Sequence, residues 1–426
     1  MNAPQRHPRP ANDHVRSDSS QLGYANWKFL ATMLIVSQGI SLLGSEVVQY
    51  AMVWHITLTT KSGTAVALAV IFGFLPRLIL SPIAGVWADR YNRRMLAVTA
   101  DVVVALATVG IMVAFLTGHE SLPLIYLVLG LRSAGGAIQN PAVSAMIPQF
   151  VPQDQLVRVN GFFGSFQAVT AVLAPAIAGV LMASSPLGYI FLVDLVTAVI
   201  GISLFLAFVR VRQDHVNPDD RTGQWSELKD GFRYLVRHEF LGRFMAYSVL
   251  GAFFASPLLV VVNLHMVRMF GDEPWRLSVM EAIFGVALIV GGLFVGLWPG
   301  FKRETTTIGA AMLIMSVFVL AMAWAPHYWL YVLLFAAAGL FLPYESAPTT
   351  ALIQRVTDQR QVGRMLSISS TFAAAVFPLG AAVSGPLADA ISISYILAAS
   401  AVALCVIGFV FLGDSKFRKI PPIPRR

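Results

Sequence analysis

Several ionisable residues stand inside long apolar runs of this 426-residue chain, among them Glu46, Arg132, Asp194, Glu281 and Glu345. An ionised side chain in hydrocarbon costs at least about 2.5–3.5 kcal/mol. Groups kept there exchange protons, hold a counter-ion or meet a charged ligand. Glu46 lies beside Gln38, Ser41, Ser45 and Gln49, which fall within about 80° of one another at 100° per residue. Arg132 is followed by Gly136 and Gln139 on the same helical face. This spacing predicts an Arg132–Glu46 pair at a wet interior, where the carboxylate exchanges its arginine for a proton or a cationic ligand; a static ion pair is the alternative. Asp194, Glu281 and Glu345 are further proton-carrier candidates, and Arg77 is a second candidate partner for Glu46. Gln38, Ser45, Gln49, Arg77 and Gln139 are the candidate polar lining of a cavity. Trp54, Phe166, Phe253, Phe254 and Phe377 are its candidate apolar lining.

The elements that must position these groups are membrane helices. The chain is 57% hydrophobic and 12% charged, with a mean hydropathy of +0.70, against about 45–50% and about 25% in soluble domains. So little charge cannot build a water-facing surface of this size, which excludes a soluble enzyme, a disordered regulator and a DNA-binding protein. A hydrocarbon core of about 30 Å takes about 20 helical residues. Turn and charge signals then give twelve spans, at residues 27–57, 64–87, 95–117, 122–147, 159–183, 187–209, 241–268, 276–299, 305–324, 328–350, 364–387 and 391–412. The predicted organisation is a polar tail (1–25), a six-helix bundle (26–209), a linker with an amphipathic helix from Trp225 to His238 (210–240), a second bundle (241–412) and a basic tail (413–426).

Of the 30 Lys and Arg residues, Lys61, Arg268 and Arg276 fall on one side of the spans, Arg77 and Arg132 fall within them, and the other 25 share the side of both chain ends. That bias predicts both termini in the cytoplasm. A net charge of +8 dispersed over many short segments makes no face for nucleic acid. The halves repeat weakly: IPQFVPQDQLVR (147–158) aligns with IQRVTDQRQVGR (353–364), and Gly85-Val-Trp with Gly296-Leu-Trp. Two related bundles facing each other leave a central cavity that opens to either side by rocking.

The loop after span 2 reads GVWADRYNRR (85–94). In it Gly85 permits close helix approach, Asp89 suits a helix N-terminus, and Arg90, Arg93 and Arg94 are available to carboxylates such as Asp101. The second half has no counterpart of Asp89, and its Gly292, Gly296 and Gly300 are read as helix packing. In span 5, Pro175 and Gly179, after Gly161 and Gly164, allow a bend and a tight contact between the halves. The chain carries no phosphate-binding loop, which points to an ion gradient as the energy source. The histidines are scattered, His55 and His265 included, so no metal or other cofactor is expected. The lone Cys405 excludes an intrachain disulfide.

Residues 85–94 resemble the G-x-x-x-D-R-x-x-R-R loop signature of the major facilitator superfamily, Arg132-x-x-x-Gly136 resembles its span 4 motif, and Pro175 to Gly179 its antiporter motif, with alanine replacing most of the glycines. Trp27-Lys28, Gln38, Ser41-Leu42, Thr64 to Pro76, Ser81-Pro82, Leu131-Arg132-Ser133, Pro141-Ala142 and the loops ending in Arg158 and Arg364 are similar to its drug:proton antiporters, most closely the macrolide-efflux branch, over residues 25–412. The resemblance implies an all-α fold of two pseudo-symmetric six-helix bundles, with Asp89 seated on the N-terminus of span 11 as a conformational gate. It implies a monomer in the lipid bilayer of a bacterial inner membrane, exporting amphiphilic small molecules (macrolide-like or multiple drugs) in exchange for protons. Catecholate-siderophore exporters share the pattern, so siderophore or metabolite export is a second expectation, import by the same fold a nearer rival, and a membrane-embedded enzyme the alternative of another class.

Overall fold

The computed structural model describes residues 26–209, 233–235, 238–359 and 361–418, without the side chains of Asp89 and Glu239. The tail 1–25 and most of the expected amphipathic linker helix lie outside the described residues; 233–235 form a helical turn. Among the described residues, twelve helices long and apolar enough to cross a membrane follow one another: α1 Trp27–Thr60, α2 Gly63–Arg90, α3 Arg93–Leu116, α4 Leu122–Phe150, α5 Leu156–Ser184, α6 Leu187–Phe208, α7 Glu239–Val260 continued past Val261 by Val262–Phe270, α8 Pro274–Leu297, α9 Glu304–Met322, α10 Tyr328–Val356, α11 Val362–Ala390 and α12 Ile393–Gly413. A short α13, Ser415–Arg418, closes the described chain.

Local chemistry sets several boundaries. Ser62 caps α2, its hydroxyl accepting from the Ala65 N–H, and the Asn92 side chain accepts from the N–H groups of Arg94 and Met95 to start α3. Each satisfies first-turn donors that have no intrahelical partner. Pro274 opens α8, where a missing N–H costs nothing. α10 runs six residues beyond the expected end at 350, through the polar stretch to Val356, because hydrophobicity marks where lipid ends and not where helical hydrogen bonding ends. Leu106, Val199, Leu293 and Leu333 are about two-thirds exposed (65%, 65%, 67% and 65%). Such an outer surface belongs in hydrocarbon, where helices are the spans that satisfy their own backbone.

Within the first bundle neighbours pack in the order α2, α4, α3, α6, α1, α5, and in the second in the corresponding order α8, α10, α9, α12, α7, α11. The bundles meet along two seams, α2 with α11 and α5 with α8. We call the end bearing the loops at 91–92, 151–155 and 298–303 the basic face, and the other end the opposite face. Beyond α12, Phe417 of α13 is buried among Phe240, Phe244, Tyr247 and Phe411, so the start of the expected basic tail docks on the second bundle.

Candidate functional site

The glycines show where the seams close. A Cβ on Gly63 would lie 2.3 Å from the Gly385 carbonyl oxygen, one on Gly179 2.1 Å from Ser278 Cβ, and one on Gly285 2.9 Å from Val172. All belong to the part of each seam nearer the opposite face. Toward the basic face, a Cβ on Gly161, Gly164, Gly292, Gly296 or Gly363 would meet nothing within 4 Å. The expectation that Gly292 and Gly296 pack helices is therefore corrected for this conformation; the neighbouring Gly291 makes the close contact, against α10. Gly300 has φ +91 and turns the chain after α8. Pro175 and Gly179 do meet the other bundle, where Ser278 donates to the Pro175 carbonyl at 3.0 Å.

Between the splayed parts of α2 and α11 lies a cavity of about 1020 Å³. Its floor is Phe74 of α2 and Phe377 of α11, edge to face at 5.0 Å. Arg77, Ser81 and Gly85 line it from α2, and Arg364, Ser367 and Thr371 from α11. Guanidinium, hydroxyl and aromatic groups thus share one chamber, open toward the basic face. Arg77 and Phe377 are in the lining as expected. Arg364, expected only as the end of a repeated loop, joins the lining, and so does the hydroxyl stripe of Ser367, Ser370 and Thr371, whose i, i+3, i+4 spacing on a span marks a polar face.

The other expected lining residues lie elsewhere. Gln38 is buried and takes a hydrogen bond from Gln139 Nε2 (3.1 Å), which also donates to Asp101 (2.6 Å). Ser45 donates to Asp194 (2.8 Å), and Gln49 faces Gly73 of α2. The α1 stripe therefore seals against the interior of its own bundle, where neighbouring helices supply the partners that water was expected to supply. Trp54 is wholly buried in the core beside Tyr50. Phe166 packs over Gly39, and Phe253 and Phe254 meet edge to face; none of these lines the cavity described.

The ionisable groups are also rearranged. Arg132 pairs with Asp194 at 2.5 Å, and not with Glu46. Arg132 Nη1 also donates to Thr108 (2.9 Å) and Nη2 to the Ser45 carbonyl (2.8 Å), while Thr108 donates to Asp194 Oδ2 (2.9 Å), the oxygen that Arg132 contacts. Four helices thus join around one buried ion pair. Spacing along α4 gives the face that Arg132 shares with Gly136 and Gln139 but cannot choose between two acids on different helices. Glu46 is half-buried and makes no hydrogen bond or ion pair among the described residues, although it feels the charges of Arg132 and Arg77. Glu281 accepts from Asn263 Nδ2 at 3.0 Å, and Glu345 is half-buried in α10.

At the expected gate, Asp101 takes its bond from Gln139 and not from the loop arginines. Arg93 donates to the carbonyls of Ala88 and Ala145 (2.9 and 2.8 Å), and Arg94 to that of Leu206. Backbone carbonyls at helix C-termini are natural acceptors for arginine, so these side chains brace the ends of α2, α4 and α6. Arg90 is exposed. The Asp89 side chain lies outside the described residues; the helix ends it was expected to join, those of α2 at Gly85 and α11 at Gly363, form opposite walls of the cavity.

Against known proteins, the sequence model of the Major Facilitator Superfamily matches residues 34–301 and 276–426. Macrolide efflux protein A of Streptococcus pyogenes is 28% identical over 403 residues, covering 93% of this chain and 98% of that one. Multidrug efflux pump Tap of Mycobacterium bovis (strain BCG / Pasteur 1173P2) is 22% identical over 407 residues, 93% and 94% of the two chains. Among solved structures, a POT family transporter in complex with 5-aminolevulinic acid superposes with a TM-score of 0.71 at 12% identity, over 91% of this chain and 96% of that one. A bacterial homolog of the human lysosomal transporter Spinster, in an inward-facing and unoccupied conformation, gives 0.66 at 13% identity, over 92% and 96%.

Proposed function

From the premise that the chain belongs to the major facilitator superfamily, we propose that this transporter exports amphiphilic small molecules, macrolide-like or multiple drugs, by proton-coupled alternating access. The observation that carries the reading is the cavity of about 1020 Å³, walled by α2 and α11 and shut off from the opposite face by close glycine contacts. The charge bias makes the basic face cytoplasmic, so this is the conformation that loads from the cell interior or inner leaflet. Aromatic and aliphatic walls with a few polar groups suit a ligand held by area more than by directed bonds. The efflux relatives support the same direction of transport. Glu46, without a bonded partner, is the group best placed to take up a proton when the other face opens. Asp194 is committed to Arg132 and serves the bundle's integrity.

One observation favours a second reading. Arg77 and Arg364 line the cavity and, among the described residues, no carboxylate does, which suits acidic ligands such as catecholate siderophores. Cells expressing the protein, compared with cells lacking it, decide between these. Raised resistance to macrolides, lost in Glu46→Gln, supports the first reading. Unchanged resistance with increased siderophore release supports the second, and neither effect sinks both.

A further inference from the structure

At the opposite face the two bundles are tied by a polar knot. Asp389, in the last turn of α11, accepts from the Ser62 hydroxyl (2.8 Å), the Gly63 N–H (2.6 Å) and the Thr64 N–H (2.9 Å). It caps α2 from the other bundle. First-turn N–H groups have no acceptor within their own helix, and the positive end of the helix dipole favours a carboxylate. Arg268, at the end of α7, donates to Asp389 (3.0 Å) and the Ala388 carbonyl (2.5 Å), and reaches across the seam to the Lys61 carbonyl (2.7 Å). Directly beneath, a Cβ on Gly385 would fall 2.2 Å from Ala67 Cβ, so the helices cross there at the smallest separation their backbones allow.

We infer that Asp389 is an outer latch residue that holds α2 and α11 together at the opposite face and must release α2 for that face to open. The two helices are antiparallel, and each carries a carboxylate near its C-terminal end. Asp89 of the loop signature lies in the last turn of α2, and its expected seat, the N-terminus of α11, stands across the cavity here; Asp389 ends α11 and sits on the N-terminus of α2. A rigid tilt that closes one end of the pair spreads the other, so the two latches engage alternately. Among the described residues the second seam shows no such acid; its polar tie is the Ser278 hydroxyl, bonded to the Pro175 carbonyl (3.0 Å) with a longer contact to that of Ala176 (3.4 Å). The inference rests on the alternating-access reading.

It is tested by pulsed electron-spin distance measurement on the full chain in nanodiscs, in a Cys405→Ser background. Spin labels go at His119→Cys and His327→Cys, exposed positions at the opposite face of separate bundles. The parent should show two distance populations. Asp389→Asn should raise the ratio of long to short at least about threefold. Gly385→Ala, which wedges the same contact without altering charge, should act in the same direction, and Gly292→Ala, facing open space, should not. A parent fixed in one distance whatever the pH sinks alternating access, and the latch with it. Two populations in the parent that neither Asp389→Asn nor Gly385→Ala shifts overturn the latch alone. Should Asp389→Asn not accumulate, Arg268→Gln carries the charge arm with the same expected sign.

Discussion

Arg132 and Glu46 are both charged residues in membrane helices, yet they behave oppositely. Arg132 donates to three acceptors inside the first bundle, and removing one member of such a pair leaves an uncompensated buried charge. Asp194→Asn is expected to lower stability by about 3–5 kcal/mol, read as earlier thermal unfolding in detergent, and Arg132→Met/Asp194→Leu together should recover part of that loss. Glu46→Gln breaks no bond and should leave unfolding within about 0.5 kcal/mol while removing the dependence of transport on the pH gradient. The exposed pair of Lys61 with Asp272 (2.8 Å) gives a third expectation. Its hydrogen bond from Lys61 holds the Asp272 carboxyl below the ordinary carboxylate range, so whatever the pair contributes is present at neutral pH and is lost as pH falls through that lowered value. Salt screens exposed pairs. Lys61→Gln should therefore move the outer-face equilibrium less than Asp389→Asn, a difference that the same spin-label distances would show. The polar groups were legible as exceptions in an apolar sequence, but their partners were not, because spacing along one helix fixes depth and face and says nothing of which neighbour arrives.

Helices were the most legible level. Length and hydrophobicity located all twelve spans, and misplaced mainly the ends, as at α10, where polar residues continue the helix to Val356. The roles of small residues were harder to read. Gly179 and Gly292 are alike in sequence setting, yet one touches Ser278 and the other faces open space, because contact depends on which way the bundles are tilted. Gly179→Val is accordingly expected to pry apart the α5–α8 seam and raise labelling of a cysteine at Ala178, buried in this conformation, by an impermeant maleimide added from outside. Gly292→Ala should leave that labelling unchanged. Equal labelling of the two variants would contradict the assignment of the closed seam.

At the scale of the molecule, two bundles with the same internal packing order meet along two seams that close at one face and part at the other. The repeat at 147–158 and 353–364 made this paired architecture readable from sequence, since it reflects the fold's symmetry. The cavity's chemistry was less readable: the α1 stripe turned inward to its own bundle, while α11, credited with Phe377 and a helix end, supplies much of the wall. The central claim is that a proton gradient drives a ligand from the basic face outward. Inverted membrane vesicles with an acid lumen, given a radiolabelled macrolide outside, test it most directly. Accumulation that collapses when the pH gradient is dissipated, and that is absent in Glu46→Gln vesicles holding equal amounts of folded protein, is the predicted result; uptake indifferent to the gradient would contradict it.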